Sequence, residues 1–207
     1  MSSHQSVFGR ATELDSGGPT IVPSHACHRA WHPLVELAPF VQAPHEHTDE
    51  WRSVHAIAQQ LHRALNEPDV LAQLTEANRP GQSSAIVQGV LKTSSEALGF
   101  ESERKGLFAD SMTGLRPDYY KRIGDTGILL EVERGKTTRN NMDLLDFWKC
   151  HLCIHAHYLF LFVPQELRHN AEQKSPHREF TYVQRRLSQF FDPTNYTNVR
   201  GLCVFGY

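Results

Sequence analysis

The run Tyr158-Leu159-Phe160-Leu161-Phe162-Val163 constrains this chain more than any other feature. It is bounded by His157 and Pro164 and has the length of one strand. Side chains of a strand alternate between faces, so an unbroken apolar run needs cover on both. That requires a sheet packed on each side, and the flanking sequence offers helices for the purpose. The run is the longest of its kind and falls far short of the roughly 20 apolar residues that span a bilayer. No membrane partner is expected.

Helical spacing is plain upstream. Val54, Ile57, Ala58, Leu61 and Leu65 predict a helix from about Asp49 to Ala64. A shorter one is predicted over Asp69 to Ala77, ended by Asn78-Arg79-Pro80-Gly81. Ser83 or Ser84 caps a third. Ile86, Val87, Val90, Leu91, Ala97 and Leu98 form its apolar side, and Gly99 ends it. The pattern then turns to strands, predicted over Phe100 to Ala109, Arg116 to Arg122 and Ile128 to Glu133. Gly124-Asp125-Thr126-Gly127 makes the hairpin turn between the last two. Asn140 or Asn141 caps a helix to about His155, with Leu144, Leu145, Trp148 and Leu152 on its inner side. After the apolar strand come a helix at about Thr181 to Phe191 and a strand at Arg200 to Tyr207. The expected class is α/β, with a mixed central sheet flanked by helices.

Residues 1–48 resist this reading. Gly17-Gly18-Pro19, Pro23, Pro33, Pro39 and Pro44 interrupt every periodic pattern. An irregular N-terminal arm is expected there, anchored by Trp31, Leu34, Val35, Leu37 and Phe40 and available to a partner protein. Residues 49–207 form the domain. The first residues lack a charged stretch leading into an apolar one, so a cytoplasmic protein with reduced thiols is expected. The net charge of -2 excludes a histone-like binder that works by bulk positive charge. It does not exclude a nuclease, which needs acids to hold a cation.

Chemistry concentrates in two stretches, Leu115-Arg116-Pro117-Asp118-Tyr119-Tyr120 and Ile128-Leu129-Leu130-Glu131-Val132-Glu133-Arg134-Gly135-Lys136. Glu131 and Glu133 lie two apart on a strand, so both side chains leave the same face. Pairing across the turn brings Asp118 opposite Glu131. Three gathered carboxylates repel one another unless a cation relieves them. Hard oxygen donors suit Mg²⁺, with Mn²⁺ able to substitute. Arg134 and Lys136 would then face phosphate. Thr137, Thr138, Arg139, Asn140 and Asn141 continue as a polar, net basic loop suited to nucleic-acid phosphate. Arg185 and Arg186 read as a solvated helix face or as an extension of that surface.

Pro117-Asp118 followed by Glu131-Val132-Glu133 resembles the PD-(D/E)xK motif of restriction-endonuclease-like nucleases. The resemblance covers about residues 83–165. It implies an α-β-β-β-α-β core and metal-dependent phosphodiester hydrolysis, most simply by a DNA endonuclease. Asp118 and Glu131 would be metal ligands by this resemblance. Glu133 stands at the motif's usual lysine position, which leaves either Glu133 or Lys136 in the lysine's role. Gln88 takes the place of a first-helix acid and would hold a water of the metal's shell. Cutting both strands would call for a homodimer.

Two other readings compete. One is a binding or scaffold protein that keeps the fold without catalysis. The other is a zinc-containing regulatory protein using Cys27, Cys150 and Cys153 with His25, His28 or His32. Cys150 and Cys153 have zinc-knuckle spacing, but they sit in an apolar helix where Cys acts as a small hydrophobe. Asp143 and Asp146 read as complements to a helix dipole.

Overall fold

The computed structural model describes residues 33–102, 107–108, 115–135, 137–168 and 175–207. Its elements run β1 (Glu36–Val41), α1 (Asp49–Leu65), α2 (Pro68–Ala77), α3 (Ser84–Ala97), β2 (Glu101–Ser102), β3 (Tyr119–Ile123), β4 (Thr126–Val132), α4 (Met142–Leu152), β5 (Tyr158–Val163), α5 (Glu179–Leu187) and β6 (Gly201–Gly206). The strands form one sheet in the order β1-β6-β5-β4-β3-β2. β4, β5 and β6 are mutually parallel, and the outer pairings are antiparallel. From α3 to β5 the order is α-β-β-β-α-β, as expected.

Each face of the sheet packs against helices. On one face Ile128, Leu130 and Val132 of β4 join Tyr158, Phe160 and Phe162 of β5 beneath α1, α2 and α3. On the other, Leu129, Leu159, Leu161 and Val163 meet Phe147 and Cys150 of α4 and Phe180, Val183 and Leu187 of α5. All six residues of β5 are buried, which is why its sequence carries no alternation. The alternation along β4 assigns a face to its end: Glu131 follows Leu129 toward α4 and α5.

The β3–β4 turn is tighter than its sequence suggests. Ile123 pairs with Thr126, leaving Gly124 and Asp125 as a two-residue loop. Gly124 alone carries a positive φ, 54°. Glycine at the first central position is the signature of a type II′ hairpin.

Three expectations need correction. Residues 36–41 are not part of an irregular arm. β1 pairs along its whole length with β6. An edge strand tolerates Pro39, because an N–H missing from the unpaired side breaks no ladder bond. Asn66 at the end of α1 secures its entry, accepting from Val35 N at 2.9 Å. Second, the strand expected over Phe100 to Ala109 is described only as Glu101–Ser102, with Leu107 and Phe108 in a turn; residues 103–106 and 109 lie outside the described residues. Third, of the four residues expected on the inner side of α4, Leu144 packs against the core and the other three face outward. Leu145, Trp148 and Leu152 are 41%, 50% and 43% exposed, while Asp143, Asp146, Phe147 and Cys150 are buried. The acids face inward because cations wait for them there. Among the described residues, no helix is long and apolar enough to cross a membrane.

Candidate active site

The register Tyr119↔Leu130, carried one residue outward, sets Asp118 across from Glu131. The side chains lock this end of the hairpin. Asp118 Oδ2 accepts from Val132 N at 2.8 Å, and Asp118 N lies 3.4 Å from Glu131 Oε2. Gln88, on α3, donates from its side chain to Asp118. Its carbonyl also accepts from the Tyr119 hydroxyl at 3.3 Å. The neighbouring Tyr120 turns to the other face and donates to His155 O at 3.3 Å. Glu133 lies just past β4, where its carbonyl accepts from the Tyr207 hydroxyl at 2.9 Å.

α4 brings two further groups that the sequence reading did not assign to the site. Lys149 Nζ stands 3.1 Å from Glu131 Oε1 and 2.8 Å from Asp146 Oδ1. Glu131 and Asp146 are essentially inaccessible, at 3% and 0% exposure. The signal was present: Asp143, Asp146 and Lys149 repeat at three-residue spacing on the helix side that also carries Phe147 and Cys150. Charged residues at core-facing positions need partners. The dipole reading of the two aspartates hid that demand.

Glu131 and Asp146 thus contact one ammonium, and Asp118 and Glu133 lie within its electrostatic reach. The four acidities follow from burial and from these charges. Burial raises Asp118, and the Val132 N–H and Lys149 work against the rise. Burial and the charge of Asp146 hold Glu131 well above the usual carboxylate range. Glu133 is pushed up to about 8, first by burial and then by the charge of Asp146. Lys149 loses solvation here, but Glu131 and Asp146 more than offset that and raise it. Burial leads the rise in each of the four acids, and the one lysine offsets it only in part.

A hard divalent cation fits this chemistry: the donors are oxygens and negative charge is in surplus. The geometry is not yet a metal cage. Among the described residues, no three His, Cys, Asp or Glu side chains are arranged around a common point. Glu131 Oε1 and Asp118 Oδ2 are engaged by Lys149 and Val132 N.

The remaining expected positions scatter. Arg134 donates to the carbonyls of Gln82 and Arg79, tying the strand end to the loop between α2 and α3. Thr137 is fully buried and is not on the surface where a phosphate contact was expected. Arg139 and Asn140 are exposed. Lys136 lies outside the described residues, as does Cys27. Cys150, Cys153 and Cys203 are buried and in no disulfide among the described residues. Cys150 packs in the α4–α5 layer and Cys203 in the opposite one. Burial pushes the Cys150 thiol up, away from the thiolate that zinc binds. Asp143 faces Arg186 of α5, whose Nη1 lies 2.9 and 3.2 Å from its two oxygens.

No protein-family model matches this chain, and no curated protein sequence matches it. Among solved structures, the chain is similar to the crystal structure of the restriction endonuclease BglII complexed with a DNA 16-mer. The TM-score is 0.47 and the identity 11%, over 83% of this chain and 77% of that one.

Proposed function

We propose that this chain hydrolyses phosphodiester bonds in DNA with the help of a divalent cation. The observation that carries the reading is the gathering of four buried or half-buried carboxylates near one lysine, two of them in contact with it, where β3, β4 and α4 meet. A folded protein gains nothing in stability from such a surplus. Taking that many carboxylates out of water costs more than one lysine returns.

Asp118 and Glu131 would hold Mg²⁺ or Mn²⁺, with Glu133 as a third ligand or as the group that orients the attacking water. The bound ion would supply positive charge to the phosphoryl transition state and acidify a water. Gln88 fixes the orientation of Asp118. Glu133, with its pKa at about 8, is suited to exchange a proton near neutral pH. Lys149 is the basic group at this cluster, where the motif's usual lysine position holds Glu133. Lys149 would neutralise the scissile phosphate. Lys136 would contribute phosphate contacts.

The test is a cleavage assay on plasmid, linear and single-stranded DNA, with Mg²⁺, Mn²⁺ or EDTA, for wild type, Glu131→Ala and Lys149→Met. Cation-dependent cutting that both substitutions abolish supports the assignment. Cutting that survives Glu131→Ala removes it.

A second reading follows from the same ion pairs. Lys149 already neutralises part of the cluster, so the fold can serve as a DNA-binding module that does not cut. Calorimetry separates the two: the nuclease binds Mg²⁺ and loses that binding in Asp118→Asn, and the module binds none.

A further inference from the structure

The chain as a whole is slightly acidic, yet α5 carries a basic stripe. Arg178, the N-cap of α5, Tyr182 and Arg185 within it, and Gln189 in the 3-10 turn just past it follow one another at four-, three- and four-residue spacing, so they lie along one side. All four are exposed, and they line an open surface depression with Thr181 and Arg186. Among the described residues, neither Arg178 nor Arg185 makes an ion pair. Of the described acids against α5, Asp143 is matched by Arg186, and the buried Glu179 has His177 at 3.3 Å. No described acid therefore pairs with the two outward arginines of the stripe. It is also held in shape. Arg186 is fixed by Asp143 and by Asn141 Oδ1 at 3.0 Å, and its guanidinium lies over the Tyr182 ring at 5.2 Å.

The stripe leads to the acid cluster. Arg186 grips the first turn of α4, and Asp146 follows Asp143 by one turn, roughly 4.5 Å along the axis. Lys149 then links Asp146 to Glu131. The exposed Arg139 and Asn140 precede that same turn of α4.

We infer that the Arg178–Tyr182–Arg185 face of α5 is the surface that holds the phosphate backbone of a DNA duplex beside the acid cluster. The inference rests on the nuclease reading for the identity of the polyanion. Two turns of helix separate Arg178 from Arg185, about 10 Å, which is the axial rise of about three base pairs. The two guanidinium groups would each take a phosphate, and the Tyr182 hydroxyl would donate to one between them. Such contacts position a duplex without reading its sequence.

The test is binding of a labelled 20-base-pair duplex, followed by fluorescence anisotropy in EDTA between 50 and 200 mM salt. Wild type is compared with Arg178→Gln/Arg185→Gln and with Arg178→Glu/Arg185→Glu. Arg186 is left alone because it matches a buried acid. Each lost phosphate contact lowers the log–log salt slope by about 0.9, so both double variants are expected to lose about 2 from it. Affinity at 100 mM salt is expected to fall at least tenfold in the Glu pair. Thermal melting of each variant, unchanged for exposed substitutions, shows that folding is intact. An unchanged slope and affinity overturn the inference, as does a wild type that binds no duplex. Cutting of the same duplex with Mg²⁺ is scored separately. Cutting by wild type with unaltered binding by the double variants removes the α5 surface and keeps the nuclease. Binding through α5 without cutting removes the nuclease and keeps the surface.

Discussion

Lys149 Nζ lies 3.1 Å from Glu131 Oε1, joining the middle of α4 to the end of β4. Both groups are nearly inaccessible, at 11% and 3% of side-chain exposure. Removing one partner of a buried ion pair leaves an uncompensated charge and costs about 3–5 kcal/mol. Lys149→Met should therefore lower the urea midpoint strongly at pH 8, and much less at pH 5, where the abandoned acids can take up protons. Millimolar Mg²⁺ should restore more stability to the variant than it adds to wild type. An unchanged midpoint at pH 8 would show that the pair contributes nothing net.

Glu133 gives the apo protein a pH dependence of definite sign. Its folded pKa, about 8, lies above the ordinary glutamate value of 4.5, so the folded state binds the proton more tightly. The unfolded chain releases that proton first, and stability falls as pH rises from about 4.5 through 8, then levels. Asp118, Glu131 and Asp146 are raised as well and add to the same slope. Unfolding free energies in EDTA from pH 5 to 9 should decline for wild type and decline less for Glu133→Gln. A rise over that range would contradict the assigned surplus of acids.

Arg186 and Arg185 are adjacent in sequence and opposite in consequence. Arg186 matches Asp143, which has 0% exposure, whereas Arg185 faces outward. Arg186→Met should destabilise by about 3 kcal/mol, the cost of stranding a buried carboxylate. Arg185→Gln should stay within about 0.5 kcal/mol, as exposed substitutions do. Equal effects in chemical denaturation would mean that the Asp143 contact carries no weight.

Much of this fold is written locally. The helical spacing of Val54, Ala58, Leu61 and Leu65 and the unbroken apolar run of β5 report on neighbours a few residues away, and both were legible. The face of α4 was not. Leu145, Trp148 and Leu152 form an apolar stripe as good as the one that is buried. The choice between the faces depends on Glu131, 18 residues from Lys149, and on Arg186, 43 residues from Asp143. No periodicity encodes partners that far apart. The site shows the same division. Asp118, Glu131 and Glu133 stand out by motif and register, while Asp146 and Lys149 reach the cluster only through tertiary packing. β1 escaped because Pro39 and the prolines around it resemble loop, and only its edge position makes them acceptable in a strand.

Asn66 tests how β1 is held. Its side-chain oxygen accepts from Val35 N at 2.9 Å, and its amide donates to His62 O at 2.9 Å and to Val35 O at 3.3 Å. His62 Nε2 also lies 2.8 Å from Val35 O, so the end of α1 grips the residue just before the strand. Val35 is itself buried, and its N–H has no water to turn to once the amide is gone. Asn66→Ala should cost about 1–3 kcal/mol, the penalty of a buried donor left unsatisfied. The loss should also be local. Hydrogen exchange should speed at Val35 and along Glu36–Val41 while β5 keeps its protection, because an edge strand can open without the centre of the sheet. Faster exchange spread evenly over β5 and β6 would mean that β1 does not open on its own.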